Sequence, residues 1–258
     1  MKKVIFLLAI AMAWTWTSTA QSAEERGLQI AKAAEKADEG FGSSIVELNM
    51  TLTNKNGQTS KRTLTTRTLE LTEDGDKSLI VFETPKDVKG TSTLTFTHKT
   101  GADDQWLYLP SIKRVKRISS NNKSGPFVGS EFAYEDLSSQ EVEKYNYKFV
   151  EAKGDLLIVE QDPVDLKSGY TRRLVTYNKG KGYRVEKIEF YDRKNALLKT
   201  LTYSNYKLYK GKFWRALTFN MVNHQSGKAT LLEFGEYDFT SPLAEEDFTQ
   251  IALQRAGR

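Results

Sequence analysis

Between Ser43 and Thr240 the chain runs as short strand-like segments separated by turn signals, and no long helical pattern intervenes. Thr, Val, Ile, Tyr and Phe dominate these segments, as they do in pleated, half-buried strands. The breaks fall at Asn56-Gly57, Asp74-Gly75, Thr100-Gly101, Lys153-Gly154, Asn178-Lys179-Gly180, Asp192-Arg193-Lys194-Asn195, Lys210-Gly211 and Ser226-Gly227. Residues of these types supply the backbone geometry that tight hairpins need. Strands joined by hairpins form an antiparallel meander, whereas a parallel sheet needs a crossover, usually a helix, between strands. The expected fold is therefore mainly β, one large, strongly curved antiparallel sheet or a barrel.

The alternation inside the strands says what that sheet must bury. Leu48, Met50 and Leu52 share one face, while Glu47, Asn49, Thr51 and Thr53 share the other, the pattern of a half-buried strand. Trp106 to Leu109, Leu156 to Val159 and Phe213 to Phe219 are apolar on both faces or nearly so. With few helices to cover a second face, an inner apolar surface only partly filled by a helix and a flap would be a cavity.

The N-terminus reads separately. Lys2 and Lys3 precede an apolar run from Val4 to Trp14, and Ser18-Thr19-Ala20 offers small residues for cleavage. This is the pattern of a secretory signal, and the apolar run is too short to span a bilayer comfortably. The expectation is a cleaved signal over residues 1–20 and a single exported domain over residues 21–258. Ser22 with Glu25 three positions on has the form of a capping box that opens a helix. Ile30, Ala33, Ala34, Ala37 and Phe41 recur at helical spacing, and Gly40 and Gly42 end the run. The small alanines imply a helix lying close against the sheet. The chain has no cysteine, which excludes disulfides, a thiol site and a lipid-modified cysteine.

Catalytic signatures are scarce in the chain. His98 and His224 lie on unrelated strands without a carboxylate or second histidine at ligand spacing, and no phosphate loop, dinucleotide fingerprint or G-x-S-x-G is present. Glu135-Asp136 and Glu245-Glu246-Asp247 are adjacent carboxylates that point opposite ways on an extended chain, and they read as helix-start or loop residues. No nucleophile, base, metal or cofactor is named by the sequence. The chain is expected not to be an enzyme. The formal net charge of +5 is spread along the strands apart from Lys113 to Arg117. That suits mild attraction to anionic surfaces and argues against nucleic acid as the partner.

The stretch from Gln105 to Leu137 concentrates the unusual features. Trp106, Tyr108 and Pro110 alternate with Leu107 and Leu109, so this strand needs cover on both sides. Lys113, Arg114, Lys116 and Arg117 follow around Val115 and Ile118. Asn121, Asn122, Gly125 and Pro126 then break the pattern, and Phe127, Val128, Phe132 and Tyr134 come after among small residues. An apolar flap is the natural reading, with Gly125 and Gly129 as hinges.

The block Trp106-Leu107-Tyr108-Leu109-Pro110, Lys113 to Ile118, Lys123-Ser124-Gly125, and Gly129-Ser130-Glu131-Phe132-Ala133-Tyr134-Glu135-Asp136-Leu137 resembles the signature of the LolA-like outer-membrane lipoprotein-sorting family. The resemblance extends more loosely from the N-terminal helix to the last strands. It implies an incomplete antiparallel β-barrel wrapped around helices, with a lidded hydrophobic cavity for acyl chains, in the periplasm of a Gram-negative bacterium. It also implies partners: an inner-membrane exporter of the resistance-nodulation-division type, an outer-membrane acceptor and transient membrane contact, with the carrier itself a monomer. The residues expected to line cavity and lid are Met50, Leu52, Trp106, Tyr108, Leu109, Phe127, Val128, Phe132, Tyr134 and Trp214. Lys113, Arg114, Lys116 and Arg117 are expected to meet a lipid head group or an acidic partner, the arginines best because guanidinium pairs bidentately with phosphate. An adaptor that binds no lipid, and a hydrolase on a lipid-binding scaffold, are the competing readings. If Phe127 belongs to a detachable lid, Phe127→Asp should weaken acyl binding and leave the fold intact.

Overall fold

The computed structural model describes residues 21–257; the expected signal over residues 1–20 lies outside them. The described chain opens with helix α1 (Ala23–Asp38). Thirteen strands follow: β1 (Ser43–Thr53), β2 (Thr59–Leu69), β3 (Lys77–Thr84), β4 (Ser92–Phe96), β5 (Asp104–Leu109), β6 (Arg114–Ile118), β7 (Tyr145–Lys153), β8 (Leu156–Pro163), β9 (Tyr170–Asn178), β10 (Arg184–Asp192), β11 (Leu197–Tyr209), β12 (Phe213–Asn223) and β13 (Ala229–Phe234). A short helix, α2 (Gln250–Ala256), ends the described chain. No described helix is long and apolar enough to cross a membrane.

All thirteen strands form one sheet in the order β6-β5-β4-β3-β2-β1-β13-β12-β11-β10-β9-β8-β7, and every pairing is antiparallel. Every turn signal named from the sequence falls between consecutive strands or starts on the last residue of one. The order has a consequence for the flap. Strands β6 and β7 are consecutive in the chain yet occupy opposite edges of the sheet, so residues 119–144 must cross from one edge to the other. The sheet is not closed into a barrel, and that crossing segment covers its inner face.

Curvature is visible in what touches what. Leu48 and Met50 of β1, Leu64 of β2, Phe82 of β3, Val159 of β8, Val175 of β9 and Met221 of β12 all belong to one contiguous apolar cluster. Strands this far apart in the sheet share a core only if the sheet curls around it. The register of β1 with β13 sets Met50 opposite Leu232 and Leu48 opposite Phe234, which continues the inner face across the join.

Helix α1 starts as its sequence dictates. Glu25 N–H donates to Ser22 Oγ at 3.0 Å, and Ser22 N–H donates to Glu25 Oε2 at 3.1 Å, a reciprocal capping box. Its buried residues are Gly27, Ile30 and Ala31, so the contact stripe runs through Ala31 rather than Ala33. A Cβ on Gly27 would lie 2.9 Å from the backbone nitrogens of Lys148 and Phe149, so only glycine lets the helix rest on β7 this closely. Phe41, beyond the helix, joins Phe213 and Phe239 in a separate aromatic cluster.

A second core lies on the opposite face of the sheet. Leu79, Val81, Leu94 and Tyr108 pack there with Phe248 and Leu253, the latter from α2. Ser92 Oγ donates to the Leu253 carbonyl at 3.1 Å. Helix α2 was not foreseen in the sequence, and it explains why β5 is apolar on both faces.

Candidate ligand-binding site

The flap, residues 119–144, carries three short 3-10 turns: Phe127–Gly129, Tyr134–Leu137 and Val142–Lys144. Its tip is a small closed loop in which Phe127 N–H donates to the Phe132 carbonyl at 2.7 Å. Phe127 and Phe132 are 2 % and 5 % exposed and sit in the inner core. The Phe127 ring lies 5.5 Å from that of Phe82 and 5.8 Å from that of Tyr134. At the turn between the two phenylalanines Val128 adopts φ +46°, a left-handed conformation that a β-branched residue takes only under constraint. The constraint is visible: Arg62 Nη1 on β2 donates to the Val128 carbonyl at 2.5 Å.

Polar bonds to six strands hold this apolar plug. Gln105 Nε2 of β5 donates to the Tyr134 carbonyl at 2.9 Å. Glu131 N–H donates to Thr230 Oγ1 of β13 at 3.0 Å, and Asn223 Nδ2 of β12 donates to Glu131 Oε2 at 2.7 Å. On β11, Lys199 Nζ donates to the Glu131 carbonyl at 2.9 Å and to Asp136 Oδ2 at 2.7 Å. Tyr170 of β9 donates its hydroxyl proton to Asp136 Oδ1 at 2.8 Å. Ser168 Oγ and Gly169 N–H each donate to Glu135 at 2.8 Å. Burial, reinforced by neighbouring Asp136, still raises the Glu135 pKa above the usual carboxylate range. Thus Glu135 and Asp136 are flap anchors rather than an acid/base pair.

Lys199 and Asp136 are the most enclosed charges of the set, with side-chain exposures of 4 % and 6 %. The ammonium also lies 5.2 Å from the ring centroids of Tyr170 and Phe190. A second cation, Arg173, is buried on the inner face, where its Nε donates to Gln161 Oε1 at 2.6 Å and its guanidinium stacks 3.8 Å over Tyr145. Both were missed in the sequence. Their signal is a lone cation in an otherwise apolar alternation: Leu197, Lys199, Leu201, Tyr203 on β11 and Arg173, Val175, Tyr177 on β9.

The expected site residues divide into two groups. Met50, Phe127 and Phe132 lie in the inner core, with Leu52, Val128 and Tyr134 packed against it. Trp106 and Tyr108 instead belong to the second core beneath α2, because β5 turns that side of its alternation outward. Leu109 is half-buried at the end of β5. Trp214 is 40 % exposed on the outer face, where the Arg184 guanidinium lies 4.5 Å from its ring. Burial of Phe127 also overturns the expectation that Phe127→Asp spares the fold, since it would put an unpaired charge into the core.

A cavity of about 270 Å³ opens at the flap tip, between the β1–β2 hairpin and the start of β13. Leu52, Asn54, Gln58, Gly129, Glu131 and Lys228 are among its walls. This is smaller than the roughly 300–1,000 Å³ of most ligand pockets. The inner apolar surface is occupied by the flap's own side chains. Lys113, Arg114, Lys116 and Arg117 lie on or beside edge strand β6 and do not line this cavity. Arg117 pairs with Asp104.

His98, expected to lack a carboxylate partner, has two. Its Nδ1 lies 2.6 Å from Asp74 Oδ2 and its Nε2 lies 3.3 Å from Asp104 Oδ2. The hydrogen bond to Asp74 is the main reason its pKa is raised, and the same bond lowers that of Asp74 to about 2. His224 Nε2 lies 2.8 Å from Thr200 Oγ1.

A family model described as an uncharacterized protein matches residues 74–255. The chain is 51% identical to a domain assigned to an outer membrane lipoprotein-sorting protein of Vibrio parahaemolyticus, with a TM-score of 0.87 over 90% of this chain and 100% of that one. It is 25% identical to a DUF1329 family protein from Desulfovibrio piger, with a TM-score of 0.82 over 90% of this chain and 99% of that one. A LolA superfamily protein from Nitrosomonas europaea shares 20% identity at a TM-score of 0.70, over 90% of this chain and 100% of that one, a likeness of fold. No curated protein matches the chain. By this agreement of sequence and fold, the chain belongs to the LolA-like outer-membrane lipoprotein-sorting family.

Proposed function

We propose that this protein is a non-catalytic periplasmic carrier that takes the acyl chains of a lipid or lipoprotein against the inner face of its sheet when the flap lifts. The observation that carries this reading is the nature of the cover. A 3-10 and loop segment closes the face through Phe127 and Phe132, and polar bonds ring that apolar contact. Lifting it would expose the face lined by Met50, Phe82 and Met221. An acyl chain of about sixteen carbons gains on the order of 12 kcal/mol on burial, less its ordering cost. That is enough to offset displacing two phenylalanines, each contributing about 1.5–3 kcal/mol.

Release then requires a partner that offers the chain a better surface or favours the open flap. An inner-membrane exporter of the resistance-nodulation-division type and an outer-membrane acceptor fit the two ends of such a route. In this reading the cations Lys113, Arg114, Lys116 and Arg117, on or beside edge strand β6, meet an anionic head group or acidic partner during those contacts, apart from the acyl site itself. A second reading, an adaptor without cargo, is favoured by the filled inner core.

Native mass spectrometry of the protein taken gently from the periplasm, followed by solvent extraction, separates the two. A stoichiometric acyl-bearing species supports carriage and identifies the cargo class. A clean apo mass with no uptake of a fluorescent fatty acid supports the adaptor.

A further inference from the structure

A row of directly opposed residues crosses the sheet beneath the flap: Gln161 of β8, Arg173 of β9, Phe190 of β10, Lys199 of β11 and Asn223 of β12. Directly opposed residues share one face of a sheet, and Phe190 belongs to the inner core. Two cations therefore stand on the inner face, one on each side of Phe190.

Their partners differ. Lys199 is matched by Asp136, which arrives with the flap. Arg173 is 5 % exposed, yet among the described residues no carboxylate pairs with it. Among those residues its side chain donates one hydrogen bond, to the neutral amide of Gln161, whose Nε2 in turn donates to the Tyr177 hydroxyl at 2.7 Å. A guanidinium carries five N–H donors, so most of its capacity is unused. A cation withdrawn from water without a counter-charge is unfavourable, and this one calls for an anion.

Lifting the flap would take Asp136 away from Lys199 and leave both cations unmatched on the surface that acyl chains would cover. A neutral cargo would bury both of them unpaired. An anionic cargo would replace the charge that the flap withdraws. Adjacent strands lie about 4.7–4.9 Å apart, so the backbones of β9 and β11 are separated by about 10 Å, a gap that two long side chains on one face can span toward a single head group.

We propose that the cargo is an anionic acyl lipid whose phosphate or carboxylate binds between Arg173 and Lys199, and that Asp136 holds this place in the closed protein as a surrogate for the head group. This rests on the carrier reading and narrows it to a charged cargo. Arg173 grips either anion bidentately, and Lys199 exchanges one anionic partner for another as the flap gives way to cargo.

Fluorescence titration with two matched pairs of pyrene-labelled probes tests the site: hexadecanoic acid against its methyl ester, and phosphatidic acid against the diacylglycerol of the same chains. The wild type should favour the anion of at least one pair by roughly ten- to a hundredfold, the scale of a hydrogen bond to a charged group. Arg173→Gln should lose most of that preference while keeping its affinity for the neutral probes, and Arg173→Lys should retain part of it. The pair whose preference collapses in Arg173→Gln identifies the head group as carboxylate or phosphate. Equal affinity for anion and neutral probe in the wild type would overturn the anion site and leave the carrier reading standing, and that comparison needs no variant to fold. A preference unchanged in Arg173→Gln would also overturn the site. No binding of any of the four probes would remove the carrier reading together with it.

Discussion

Lys199 Nζ on β11 lies 2.7 Å from Asp136 Oδ2 on the flap, and both side chains are almost wholly removed from water. The same carboxylate accepts from the Tyr170 hydroxyl and, through Oδ2, from Ala133 N–H at 2.6 Å. Removing one partner therefore strands a charge inside the protein. Lys199→Met should cost about 3–5 kcal/mol. Adding Asp136→Asn should return part of that loss, because no ion is then left unpaired. Urea denaturation measures both, and limited proteolysis should cut the single variant within residues 119–144. A Lys199→Met protein as stable as the wild type would remove the latch from the account.

Phe127 is the apolar half of the same closure. Phe127→Ala loses burial against Phe82 and leaves a void, at a cost of about 3–5 kcal/mol. Because the loss falls on the closed flap, uptake of a fluorescent fatty acid should be faster than in the wild type. Stopped-flow fluorescence reads the rate, and an unchanged rate would separate Phe127 from gating.

The outer tryptophan should behave differently. Trp214→Ala should leave fatty-acid affinity unchanged and shift stability by only a small amount, as surface substitutions do. Equilibrium titration with the fluorescent probe decides this, and loss of binding would return Trp214 to the acyl site.

The charged clusters make stability depend on pH in a defined direction. The folded protein holds the His98 proton more tightly than the unfolded chain does. That contribution is complete below the ordinary histidine pKa of about 6.5 and is lost as pH rises through the raised folded value. Glu141, pushed up to about 7, also favours the protonated fold, so stability falls as pH climbs from its unfolded pKa through that value. Asp74 works oppositely: with its pKa lowered to about 2, its contribution is present above the ordinary aspartate value and lost as pH falls toward 2. Tm should therefore decline from pH 5 to pH 8, with a shallower decline in His98→Gln and in Glu141→Gln. Equal slopes in all three proteins would contradict both assignments.

The strand-and-turn pattern carried most of the architecture because local chemistry decides it. Asn56-Gly57 turns and the Leu48, Met50, Leu52 alternation needs no distant partner to be read. The Ser22–Glu25 capping box is likewise local. What escaped was set by contacts distant in the chain. Trp106 and Tyr108 face the second core rather than the inner one, and the sequence does not show this because α2, which covers them, is too short to display a helical period. Lys199 gains its meaning only from Asp136 on the flap. The flap itself was legible as a break in pattern, whereas its burial followed from β6 and β7 lying at opposite edges.

The central claim is that acyl chains enter only when the flap lifts. The chain has no cysteine of its own, so a cysteine pair at Glu131 and Thr230, whose backbone amide and hydroxyl already meet at 3.0 Å, would tie the flap tip to β13. Fluorescent fatty-acid binding is then measured with the pair oxidised and again after reduction. The account predicts no binding in the oxidised protein and full recovery on reduction; equal binding in both states would contradict it.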